Sequence, residues 1–182
     1  MVTSSTSPRP GTLFGVAVTV VLAGAGLGAL TNAINGLVSP TYFRTIMGWQ
    51  DVENIRRAAI AQGIFEGLIY GVLFSFVFTL VVGIVSKARA TFGFALKHML
   101  IAGGIALAAW CMGGVLAMGL ATLSPEFYRN AFRGVPTDFG EMLKYAWVGG
   151  SIWGVMFGAV LSLTIASITV MVDWLWQRRV RQ

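Results

Sequence analysis

A single cysteine, Cys111, and a single histidine, His98, are all the thiol and imidazole chemistry these 182 residues contain. One thiol excludes an internal disulfide or a thiolate metal cluster within one chain, and it leaves the redox compartment unreadable. One imidazole excludes three-histidine zinc and haem held by two histidines of the same chain. Charge is scarce as well. Asp, Glu, Lys and Arg make 11% of the sequence, seven acids against 13 bases. They supply no serine with a histidine base, no paired carboxylates within one apolar segment and no glycine loop for phosphate. The sequence therefore gives no catalytic, cofactor or metal site, and the chain is expected to be non-enzymatic.

What it has in excess is apolar surface. Hydrophobic residues make up 56% and the mean hydropathy is +0.76, far from soluble composition. The net charge of +6 sits in short segments between long apolar stretches. That pattern fits topology signals and lipid headgroups rather than nucleic acid.

Stretches able to cross a hydrocarbon core of about 30 Å, which takes roughly 20 helical residues, lie near 13–38, 58–86, 93–123 and 146–176. They are continuously apolar, without the alternation of barrel strands, so four helices are expected. Arg9 before the first stretch, with Thr31, Asn32 and Ala33 near its end, imitates a secretory signal. A counterpart of the same stretch later in the chain argues against cleavage.

Four spans put both termini and the 86–98 loop on one side. That side carries Arg9, Lys87, Arg89, Lys97, Arg178, Arg179 and Arg181, against Arg44, Arg56, Arg57, Arg129, Arg133 and Lys144 opposite. The terminal side concentrates its cations in a short loop and a tail, so the termini are assigned to the cytoplasm, with a bacterial inner membrane as the expected location. Trp49 and Trp147 at one boundary, and Trp174 and Trp176 at the other, fit aromatic belts.

The two halves resemble each other. Ser39-Pro40-Thr41-Tyr42-Phe43-Arg44 matches Ser124-Pro125-Glu126-Phe127-Tyr128-Arg129 at an offset of 85, and Gly24, Gly28, Asn32 and Gly36 fall on Ala109, Gly113, Ala117 and Ala121. At an offset of 87, Gly63, Gly67, Gly71 and Ser75 fall on Gly150, Gly154, Gly158 and Ser162. The predicted fold is an all-α, integral membrane four-helix bundle of two tandem hairpins in the same orientation. Repeat 1 covers about 13–86 and repeat 2 about 93–176, between an N-terminal tail at 1–12 and a basic tail at 177–182. Each Ser-Pro predicts a short interfacial helix, capped by serine and started by proline. Gly48 or Gly134 is available to end it, and Arg44 or Arg129 to reach headgroups. Asp51 and Asp138 are the expected caps of the spans that follow.

Lipid supplies no hydrophobic force between helices, so small residues that let backbones approach are the expected contact faces. Gly63, Gly67, Gly71, Gly150, Gly154 and Gly158 form two such columns. They suit packing within the bundle, or a homo-oligomer or larger membrane complex. Glu66 is the one carboxylate deep within an apolar span. Gln62 and Tyr70, one turn to either side, make a polar stripe with it, and Asn32 and Asn35 reach similar depth. An intramembrane ionisable group is a functional hypothesis by default. In the second copy Gly149, Trp153 and Phe157 stand in place of the stripe. His98 reads as an interfacial side chain and Cys111 as packing. Two functions follow: a structural or accessory subunit, and a small proton- or cation-linked transporter or channel using Glu66.

Reporters fused after Gln182 and within the 86–98 loop should report the cytoplasm, and those near Gly48 and Gly134 the opposite side. An odd number of crossings would remove the four-span assignment.

Overall fold

The computed structural model describes residues 7–180, and these are helical throughout apart from the connections. The elements are α1 (Pro10–Val38), α2 (Pro40–Ile46), α3 (Ile55–Ser86), α4 (Phe92–Leu123), α5 (Pro125–Ala131) and α6 (Phe139–Val180). Long, short, long occurs twice. The four long helices are each apolar enough to cross a membrane, and the chain is a multi-pass membrane bundle. At 1.5 Å per residue the 42 residues of α6 reach about 63 Å, roughly twice the hydrocarbon thickness. α6 is therefore longer than the apolar layer is thick.

The short helices start as their sequences dictate. Ser39 Oγ accepts from the Tyr42 amide at 3.3 Å, and proline occupies the first turn of α2 and of α5. Ser124 makes no such side-chain bond. Gly48 and Gly134 both follow at φ +68°, a left-handed turn that costs glycine nothing. One expectation fails at this end, the cap of α3. Arg44 Nη1 donates to the Gln50 carbonyl at 3.0 Å, and Arg129 Nη2 to the Thr137 carbonyl at 3.0 Å. Both guanidiniums thus brace the loop ahead. The cap of α3 is Asn54, accepting from the Arg57 amide at 3.0 Å, because Asp51 sits in a turn before the helix begins. Asp138 does cap α6, accepting from the Glu141 amide at 2.9 Å.

Proline at its first position lets α1 start at Pro10, and α6 runs on to Val180 with Arg178 and Arg179 in its last turn, where cations complement the helix dipole. Residues 1–6 and 181–182 lie outside the described part.

Within each hairpin the long helices touch backbone to backbone. A methyl group built on Gly28 would collide with the Gly63 carbonyl, and one on Gly67 with the Gly24 carbonyl. In the second hairpin, Gly113 stands against Gly150 and Gly154, and Gly154 against Ala109. These are the same pairs displaced by 85 on one helix and 87 on the other. Gly36 on Ala59 corresponds in the same way to the buried pair Ala121 and Ala146. Larger side chains join one hairpin to the other at the two ends. At the terminal end, Val16, Val20, Phe78, Val82, Ala95, Ala102, Ala166 and Val170 form one core. At the far end Tyr42, Phe43, Ile55, Ala59, Tyr145 and Val148 form another. Tyr42 is 8% exposed there, whereas its counterpart Phe127 is 55% exposed. The two halves are not interchangeable.

Gly67→Leu and Gly154→Leu should each destabilise the protein by at least about 1–3 kcal/mol, since the side chain meets backbone that cannot yield. Gly26 has nothing within 4 Å, so Gly26→Leu should be neutral or gain up to about 1 kcal/mol of helix propensity. Equal thermal stability in detergent for all three variants would remove backbone contact as the basis of the hairpins.

Candidate functional site

Between the two end cores the hairpins separate and enclose a cavity of roughly 200 Å³. All four long helices line it: α1 from Val20 to Asn35, α3 from Glu66 to Phe74, α4 from Met99 to Trp110 and α6 from Ile152 to Ser162. Most of the wall is aliphatic, aromatic or glycine. Tyr70 and Met156, 42% and 37% exposed, belong to the lining, so the cavity reaches the outer surface of the bundle.

The residues singled out in the sequence converge here. Glu66, Tyr70, Asn32 and Asn35 all line the cavity, and Gln62 Nε2 donates to Glu66 Oε1 at 2.7 Å. That bond lies within one helix and leaves Asn32 out of it. Its size matters. Placing a charged side chain at the centre of a spanning helix costs about 2.5–3.5 kcal/mol, and one hydrogen bond between side chains in a membrane returns about 0.6–2 kcal/mol. By that comparison Gln62 alone would not offset the cost of an ionised carboxylate held at the centre of a span. Outside the spans, the α2 phenol of Tyr42 titrates above its ordinary value, first because it is buried and second because Glu66 is near.

Asn35 is fully buried and reaches the other hairpin. Its Oδ1 lies 3.1 Å from Ser151 Oγ, which is also 3.0 Å from the Val148 carbonyl. Ser151 has one proton to share between them. Whichever way the amide is turned, one of its two polar atoms keeps no partner in the protein; as placed it is Nδ2. The indole Nε1 of Trp110, 7% exposed, has no partner either, and a buried donor of this kind usually finds one. Thr31 and Ser162, also in the lining, are satisfied by carbonyls of their own helices.

Trp110 and Ser151 were not legible as site residues. The only signal was that each is polar on a helix face that also carries small residues. The glycine columns lie beside the cavity: Gly67 and Gly71 form part of its wall, while Gly63, Gly150, Gly154 and Gly158 are occupied by helix contacts. Trp147 sits against Gly114 and edge-on to Trp110 at 5.3 Å.

A second polar group was also missed. His98, expected at an interface, is fully buried, with Nδ1 3.0 Å from Thr169 Oγ1 and Nε2 3.5 Å from Asp173 Oδ2. Lys97 Nζ meets the same carboxylate at 2.7 Å. The pairing of Thr169 with Asp173, one turn apart on α6, was the available signal. The group fastens α4 to α6 at the terminal end, and its ion pair is exposed enough to contribute about 0–1 kcal/mol. Cys111, expected in packing, is exposed on α4. Among the described residues no group of His, Cys, Asp and Glu has the arrangement of a metal site.

The fold and this cavity define a four-helix, multi-pass membrane protein with one polar site between its hairpins. Comparison with protein-family models, characterised proteins and solved structures gives no match.

Proposed function

We propose that this is a non-enzymatic membrane protein that binds and passes a small cationic species, a proton or a solute, at Glu66. The observation that carries this reading is the position of Glu66 on the wall of a cavity bounded by both hairpins. A carboxylate that only held α3 together would need no cavity and no contribution from α4 and α6. The site lies where a shift of one hairpin against the other changes access, because side chains rather than backbone join them there. With the termini in the cytoplasm, the Tyr42 end of the bundle faces the opposite side of a bacterial inner membrane.

An accessory-subunit role keeps one supporting observation. Gly104, Ala108 and Cys111 present small side chains outward on α4, and Gly104 has nothing within 4 Å. The larger glycine columns are occupied within the hairpins, which leaves this reading the smaller surface.

Glu66→Gln keeps shape and hydrogen bonding and removes titration; Glu66→Leu removes both. Glu66→Gln should leave the detergent-solubilised protein folded and reduce potential-driven proton or cation flux in proteoliposomes at least tenfold. Glu66→Leu should do the same and destabilise by about 0.6–2 kcal/mol. Wild-type flux in the glutamine variant would overturn the reading.

A further inference from the structure

At the end of the bundle away from the termini, where α1 ends, α2 follows and α3 begins, the surface forms an open groove of roughly 410 Å³. It is separate from the cavity around Glu66. Gly36, Leu37 and Pro40 line it together with three charged residues, Arg44, Glu53 and Arg56. Arg44 gives one N–H to the Gln50 carbonyl at 3.0 Å and keeps the rest of its guanidinium fork. The ion pairs among the described residues join Lys97 and His98 to Asp173 and Lys144 to Glu141. Two guanidiniums and a carboxylate thus border one groove without pairing with each other. Its depth is set by the chain: α1 ends at Val38 and the apolar run of α3 starts near Ala58, so the groove lies where headgroups meet hydrocarbon. From it Leu37, Ile34 and Leu30, which are 59%, 36% and 52% exposed, run along one face of α1 at helical spacing. An apolar strip therefore leads from the charged groove into the bilayer.

The duplication supplies an internal comparison. Arg129 stands where Arg44 does, but at the offset of 87 Gly140 and Leu143 take the places of Glu53 and Arg56. The neighbouring carboxylate, Glu141, is held by Lys144 at 2.8 Å. A general need for arginine at the membrane boundary would be met by both copies; the second cation and the free anion belong to the first alone.

We infer that this groove binds a phospholipid whose phosphodiester carries a primary ammonium, with the phosphate between Arg44 and Arg56, the ammonium at Glu53 and an acyl chain along Leu37, Ile34 and Leu30. Guanidinium N–H groups match phosphate oxygens in pairs, and an ammonium brings three donors to a carboxylate. A trimethylated headgroup has the same charge and no N–H to give. A glycerol headgroup leaves Glu53 beside an anion with no cation of the ligand to meet it. A soluble phosphodiester would leave the apolar strip unused. The site does not depend on the reading of Glu66.

The full-length protein in detergent, examined by native mass spectrometry, tests this with dihexanoyl phosphatidylethanolamine, phosphatidylcholine and phosphatidylglycerol, and with water-soluble glycerophosphoethanolamine. The wild type should bind phosphatidylethanolamine several-fold more tightly than the other two lipids and at least tenfold more tightly than the soluble headgroup. Arg56→Leu, which copies the second repeat, should weaken phosphatidylethanolamine binding at least tenfold, and Arg56→Lys should weaken it less. Glu53→Gln should remove the preference over phosphatidylcholine. Melting without added lipid checks that each variant folds; Glu53 is exposed, so its variant keeps the test available if Arg56→Leu does not. Equal binding of the three lipids, affinity unchanged in a folded Arg56→Leu, or a preference over phosphatidylcholine that survives Glu53→Gln overturns the site. Glycerophosphoethanolamine bound as tightly as the lipid overturns the lipid as its source.

Discussion

Everything in this bundle depends on two helices approaching until their backbones touch, which only residues without bulky side chains permit. Gly24 and Gly28 against Gly63, Gly67 and Gly71 set that distance in the first hairpin, and Ala109 and Gly113 against Gly150, Gly154 and Gly158 set it in the second. In lipid this contact replaces the hydrophobic force that would drive a soluble bundle together. It also decides where space is left over. Helices so close within a hairpin leave side chains as the means of filling the seam between hairpins. Phenylalanine, valine and tyrosine fill it at both ends, and the middle stays open around Glu66.

The two halves share this frame and differ in what they put into it. Matching pairs recur along the hairpin contacts, in the arginine braces Arg44–Gln50 and Arg129–Thr137 and in the turns at Gly48 and Gly134. The polar side chains around Glu66 do not recur. Asn32 corresponds to Ala117, and Gln62 and Glu66 to Gly149 and Trp153. The first hairpin thus brings the charge and the amides, while the second brings Trp110 and Ser151. Tyr42, buried against Tyr145 at 5.0 Å, closes the far end with a side chain whose counterpart Phe127 points outward. One site in a two-fold frame is the result of these substitutions.

Much of the frame was legible before any coordinates, because long apolar runs, Ser-Pro starts and glycine spacing act locally along the chain. Three of the four spans lie within about three residues of their expected bounds, both short helices start at the expected prolines, and α6 begins seven residues before the fourth span was expected. Glu66, Gln62, Tyr70, Asn32 and Asn35 could be grouped because helical periodicity places i and i+4 on one face. What periodicity does not carry is how one hairpin sits on the other. Asn35 meeting Ser151, Trp110 facing the cavity, and His98 turning inward to Thr169 and Asp173 all depend on contacts across many residues of sequence. The loop carbonyls that Arg44 and Arg129 brace were likewise not legible.

The central claim is that the hairpins meet through Asn35 and Ser151, so that the cavity beside that contact belongs to both. Its most direct measurement uses Asn35→Cys and Ser151→Cys together in a Cys111→Ser background, with a protease site inserted between α3 and α4. After treatment with a short bis-methanethiosulfonate and cleavage, the two hairpin fragments should remain joined on a gel. The lipid-facing pair Phe76→Cys and Val160→Cys, 72% and 68% exposed in the native protein, should let them separate. Separation of the 35–151 pair, or cross-linking only between different copies of the chain, would contradict the arrangement on which the site depends.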